Sequence, residues 1–216
     1  MSRIESLSNN IALKIAKILE LDEDRQEIIA YGAFSLIQTI WSIGLVMAFG
    51  LLFKVFWEAV IISFAGALLR KYSGGAHATS PSRCAVIGVI ISVGPALILD
   101  KISIYTSPIY IIIYALLTLA FTYYIIYRYS PVDTPNKPIT KDETKKRLRK
   151  SAFKMIHFYF IVITILFICY SKEKSYIYLK FIVSICTGML WQDMTLISLG
   201  HYIVSKLDAI LGSEYS

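Results

Sequence analysis

Six apolar runs, at 28–53, 55–69, 85–99, 102–127, 153–170 and 176–199, limit what this chain can fold into more tightly than any other feature. Hydrocarbon offers the backbone no hydrogen-bond partner, so runs of this kind are membrane helices in which every internal N–H finds its own carbonyl. Composition agrees: 56% of the residues are apolar and mean hydropathy is +0.60, whereas soluble domains hold about 45–50% apolar residues. The predicted fold is an all-α, polytopic bundle with about six spans in one integral membrane domain over 1–216. The second and third runs are short, about 22 Å at 1.5 Å per residue against a ~30 Å core, and are expected to cross a locally thinned bilayer. No signal peptide is read in the polar first 27 residues.

Charge sets the expected orientation. With a cytosolic N-terminus and six crossings, 17 of the 22 Lys and Arg fall inside, as the positive-inside rule requires. The net charge of +7 is thereby assigned to cytoplasmic loops rather than to nucleic acid, and the basic stretch 137–154 to anionic lipid. Ahead of the first run, Ile4, Leu7, Ile11, Ile15 and Ile18 recur at steps of three and four. This stripe predicts an amphipathic helix over 1–27 lying on the inner membrane surface, either as a packing element of the fold or as a dock for an amphipathic partner.

The chemistry is expected in the segment joining the second and third runs, Arg70-Lys71-Tyr72-Ser73-Gly74-Gly75-Ala76-His77-Ala78-Thr79-Ser80-Pro81-Ser82-Arg83-Cys84. On one continuous helix His77 and Cys84 would stand about 10.5 Å apart along the axis, whereas a nucleophile and its base must come within about 3 Å. The segment therefore has to bend. Gly74-Gly75 admits backbone angles closed to other residues. Pro81 suits the first position of a new helix, with Ser80 as its N-cap. Cys84 then falls in the first turns of the third span, near the positive end of the helix dipole. A free thiol near its reference pKa of about 8.5 is only about 3% ionised at pH 7, so a nucleophilic cysteine needs such surroundings. Cys84 is the expected nucleophile, with His77 as its ion-pair partner and then the acid for the leaving amine. The Gly74 and Gly75 N–H groups are the expected oxyanion donors, assisted by Arg70.

Other polar residues are placed around that loop. Asp193, with Gln192, is the expected orienter of His77 as the third member of a triad. Glu58 is expected to pair with Lys54. His157 and His201 sit near the cytosolic ends of their runs as interfacial rings, alternative bases at most. Cys169 and Cys186 are packing residues, and three cysteines make no disulfide framework. No metal site or cofactor is expected, because too few ligands occur at suitable spacing. Gln38, Glu58 and Asp193 within spans would also suit a small transporter or channel, but the halves show no internal repeat of the kind many transporters have.

The Arg70–Cys84 segment resembles the signature of the AgrB family, with an Arg, a Gly-Gly-x-His and a Cys seven residues after the His. Similarity extends to the amphipathic N-terminus leading to Tyr31-Gly32 and to Pro131-Val132-Asp133-Thr134-Pro135-Asn136-Lys137-Pro138 ahead of the basic run. The resemblance implies a multi-pass enzyme of the bacterial cell membrane, a cysteine endopeptidase of quorum sensing with its site on the cytoplasmic side. The implied substrate is an AgrD-like propeptide, cut on the C-terminal side of its pheromone segment and closed to a thiolactone or lactone. It also implies a homodimer.

Overall fold

The computed structural model describes residues 3–76, 78–102, 107–132 and 141–213. His77, the 133–138 part of the proline-rich motif and Lys137 of the basic stretch lie outside the described residues. The described chain is helical: α1 (Arg3–Leu19), α2 (Glu23–Leu52), α3 (Phe56–Ser73), α4 (Pro81–Ile102), α5 (Pro108–Tyr129), α6 (Asp142–Glu173), α7 (Tyr176–Met194) and α8 (Ser198–Ser213). The six apolar runs correspond in order to α2 through α7. By length and composition α2, α4, α5 and α6 can each cross a membrane, and α7 with α8 makes a fifth candidate bent by 91°. The third run is longer than its apolar core suggests. Pro81 starts α4 four residues before Ala85, and the 22-residue helix measures about 33 Å.

Two compact units divide the chain at residue 45. In Met1–Leu45, α1 stops at Leu19, so the amphipathic helix is shorter than the 1–27 expected. Glu20 takes a left-handed φ of 50° and the Asp22 carboxylate accepts the Arg25 amide at 2.9 Å, so a new helix starts by Glu23. The buried line of α1 is Ser8, Ala12 and Ala16, whereas Leu7 and Ile18 of the predicted stripe are exposed.

The unit Val46–Ser216 is organised around α7, which packs against α3, α4, α5 and α6. Its sequence is apolar on all sides, the pattern of a central helix, and ten of its nineteen residues are buried. Small residues let it approach α3 closely: a Cβ on Gly188 would stand 2.4 Å from the Ile62 carbonyl oxygen and 2.8 Å from the Ala65 Cβ. The Tyr159 hydroxyl of α6 donates to the Ala65 carbonyl of α3 at 2.7 Å, tying a third helix to the pair. Cys186 is fully buried here and Cys169 partly so. The outward faces of α5 and α6, among them Ile113, Leu117, Ile161 and Ile165, are about half exposed or more, as lipid-facing residues are.

At the end of α7 remote from Met194, Lys180 lies 3.7 Å from Glu58 and 2.5 Å from Asp100, tying α3, α4 and α7. This corrects the expected Glu58–Lys54 pair. Lys54 sits in the α2–α3 turn with a φ of 61°, while Glu58 is buried facing a helix distant in sequence. The basic stretch needs a similar correction: from Asp142 onward it is the first part of the 32-residue α6 rather than a loop.

The 91° bend takes α8 off the α7 direction, and α8 packs on α4. The Asp208 carboxylate accepts the Thr79 hydroxyl at 2.6 Å and amide at 3.3 Å and lies 3.3 Å from Arg83.

Two outcomes are expected from this packing. Gly188→Ala should lower the thermal midpoint in detergent by the equivalent of about 1–3 kcal/mol, the usual cost of overpacking. Gly44→Ala, whose Cβ has no atom within 4 Å, should be neutral or stabilising because Ala is the better helix former. Asp208→Asn removes the charge facing Arg83 and weakens the Thr79 bonds, so it should speed hydrogen exchange over 198–212 relative to α5.

Candidate active site

The described residues of the connection between α3 and α4, 74–76 and 78–80, are non-helical. The course of this connection follows from its own residues. Gly74 and Gly75 take positive φ of 74° and 131°, and neither could carry a side chain. A Cβ on Gly74 would lie 2.2 Å from the Val132 carbonyl oxygen, and one on Gly75 2.4 Å from the Thr195 hydroxyl. Pro81 is the first residue of α4, and the Ser80 carbonyl accepts the Cys84 amide at 2.9 Å. Ser80 is thus the N-cap position and Cys84 lies in the first turn, as the sequence predicts.

The loop is pinned from three sides. Gln192, 1% exposed, donates its side-chain amide to the Gly74 carbonyl at 2.7 Å and the Ser73 hydroxyl at 2.9 Å. The Ala76 amide donates to the Thr195 carbonyl at 3.1 Å and the Val132 amide to the Ser73 carbonyl at 2.8 Å. The Arg70 guanidinium donates to the Ala76 carbonyl. Arg149 supports the Val132 side, bonding the Ser130 carbonyl at 2.6 Å. An irregular backbone inside a membrane protein survives only where protein satisfies its polar groups, and these bonds supply that.

A pocket of about 90 Å³ opens beside the loop, lined by Arg70, Ala76, Ala78, Cys84 and residues of α4, α7 and α8. The residues on both sides of His77 therefore share one pocket with Cys84. Cys84 is partly exposed. Burial draws the Arg70 pKa below its ordinary value, and negative charge on Cys84 acts in the opposite direction. A guanidinium stays charged in proteins, so the pocket carries a fixed positive charge beside the sulfur. Such a site can hold an anionic nucleophile and the developing oxyanion of an attacked carbonyl.

Several expected roles change. The Gly74 N–H donates to the Arg70 carbonyl at 3.0 Å, which removes it as an oxyanion donor in this arrangement. The glycine is required there by backbone crowding. The Gln192 side-chain nitrogen is bonded to Gly74 and Ser73, so Gln192 ties the loop to α7. Asp193, fully buried, accepts the Thr122 hydroxyl at 2.6 Å, and its other oxygen has no partner among the described residues. His157 bonds the Phe153 carbonyl of its own helix at 2.7 Å and lines a separate groove with Leu119, Tyr123 and Phe160. Neither it nor His201 lines the Cys84 pocket. Among the described residues no cluster of three His, Cys, Asp or Glu could hold a metal ion. Sequence reasoning missed Thr195 and Trp191, and it quoted Val132 only as part of the proline-rich motif; the partners of all three lie far away in the chain, where no local signal could reveal them.

Comparison with known proteins places the chain in a family. The family model described as Accessory gene regulator B matches residues 8–196. Two AgrB-like proteins of Clostridium perfringens, from strains SM101 and 13, are each 36% identical over 208 residues, covering 95% of this chain and 97% of theirs. An AgrB-like protein of Listeria innocua is 26% identical over 131 residues, 61% of each chain. No solved structure matches. The chain is therefore a helical membrane protein of accessory-gene-regulator peptide processing, and it belongs to the Accessory gene regulator B family.

Proposed function

We propose that this chain is a membrane cysteine endopeptidase that cuts an AgrD-like propeptide between its pheromone segment and its C-terminal tail, using Cys84 as nucleophile and His77 as base and acid. The observation that carries this reading is the shared pocket: Ala76 and Ala78, the two neighbours of His77, line it together with Cys84 and Arg70. The break in helix between α3 and α4 supports it as well, because an unbroken helix would hold positions 77 and 84 apart.

In this reading His77 takes the Cys84 proton, and the thiolate adds to the carbonyl carbon of the bond between pheromone and tail. Arg70 and the Gly75 N–H stabilise the oxyanion. His77 returns the proton to the departing amine of the tail, leaving a thioester between the pheromone segment and Cys84. A thiol or hydroxyl within the pheromone segment then attacks that thioester, closing the thiolactone or lactone ring. Its proton passes through His77 to the Cys84 sulfur. The Asp193 oxygen that has no partner among the described residues, buried one residue from Gln192, is the group we assign to orient His77. A pocket mostly walled by apolar residues limits competing attack by water.

The loop lies on the cytosolic side in this reading, with the basic start of α6 toward anionic lipid, and the enzyme works as a homodimer. Replacing Cys84→Ala and His77→Ala separately should each abolish propeptide cleavage, a loss of at least about 10³-fold, while membrane insertion is retained. Mass spectrometry of wild-type enzyme mixed with propeptide should detect an acyl adduct on Cys84. Cleavage persisting in the Cys84 variant would remove the sulfur from the mechanism.

A further inference from the structure

The reaction above uses the mouth of the Cys84 pocket and leaves its interior unassigned. That interior follows α4 away from the sulfur. Ile87 and Gly88 lie one turn beyond Cys84 and Ile91 two turns beyond it, with Trp191 of α7 and Val204 of α8 completing the wall. Arg70, Cys84 and Thr195 are the polar residues of the lining, and the remainder is aliphatic or aromatic apart from Gly88.

Size and shape both point to a side chain. An apolar cavity of about 150 Å³ holds a benzene molecule and stays dry, so about 90 Å³ suits one aliphatic chain rather than a ring. The space exists partly because residue 88 is glycine. A Cβ built on Gly88 would meet no atom within 4 Å, so any side chain placed there would enter open volume. A nucleophile that attacks a carbonyl must also accommodate the side chain on the adjacent Cα, only two bonds from the attacked carbon. A pocket that begins at the sulfur is where that side chain fits.

We propose that this pocket is the subsite for an aliphatic side chain of about leucine size on the residue whose carbonyl Cys84 attacks. Gly88 sets its depth and Trp191 its width. The inference rests on the peptidase reading for the identity of the substrate and on the pocket for its chemistry.

The test reads the pocket with and without peptide. In full-length protein carrying Cys169→Ala and Cys186→Ala, Cys84 is reacted with methyl or butyl methanethiosulfonate. The thiolate displaces methanesulfinate and keeps the alkylthio group as a mixed disulfide. The butyl-to-methyl rate ratio should fall on the order of tenfold in Gly88→Leu, as filling a hydrophobic site by a few methylenes costs. It should not change in Gly94→Leu, which fills another open position of α4 outside the pocket. Should Gly88→Leu fail to insert, Gly88→Ala should show a smaller fall in the same direction. With peptides, Gly88→Leu should shift kcat/KM from leucine toward alanine at the acyl-donating position, and Trp191→Ala should shift it toward larger residues. An alkyl ratio unmoved by the Gly88 variants overturns the subsite even if cleavage is normal. Absence of any Cys84-dependent cleavage overturns the peptidase reading while the alkyl ratio still decides the pocket.

Discussion

Backbone that leaves the helix inside a membrane protein has to recover its hydrogen bonds from neighbouring protein, and the seven residues between α3 and α4 live under that constraint. Gln192, Thr195, Arg70 and Val132 each bond this loop or the residue before it. These partners come from three separate regions of the chain, so the loop takes its shape only when α7 and the segment after α5 are in place. The central position of α7 is therefore more than a packing result. Its apolar length fills the bundle, and its final turn presents the groups that hold the loop.

The same arrangement explains why glycine occurs in pairs of close approach. Gly188 and Gly66 let α7 and α3 touch backbone to backbone, and Gly74 and Gly75 let the loop lie against Val132 and Thr195. Moving α7 away from α3 would withdraw Gln192 from Ser73 and Gly74. Helix packing in the bundle and the form of the pocket beside Cys84 are consequently coupled through one helix.

Charge is divided by position along the bundle. Lys180 with Glu58 and Asp100 ties three helices at one end, while Arg70 and Arg83 serve the loop and the α4 start at the other. Burying these groups unpaired would be expensive, so each charged side chain named here has an opposite charge or a carbonyl. Arg70 is distinctive because its partners are a loop carbonyl and the neighbourhood of a sulfur, which makes it both a structural tie and a source of positive potential in the pocket.

Much of this was legible along the sequence, because the signals are local. The apolar runs name α2 through α7, and Gly74-Gly75 with Ser80-Pro81 locates both edges of the break, since conformational limits of glycine and proline act on the residue itself. Where partners are far apart in the chain, sequence gave the wrong neighbour or none. Glu58 meets Lys180 instead of the nearby Lys54, Gln192 holds a backbone 118 residues away, and the basic stretch is helical where charge density suggested a loop. Gly88 reads as an ordinary helix glycine until Trp191 and Val204 are set opposite it. The sequence by itself determined a membrane bundle broken at one loop, because hydropathy and backbone angles are properties of short segments. Only the tertiary structure decided which side chains hold that loop and what shape of pocket it leaves, because both depend on which distant helix faces arrive at the same place.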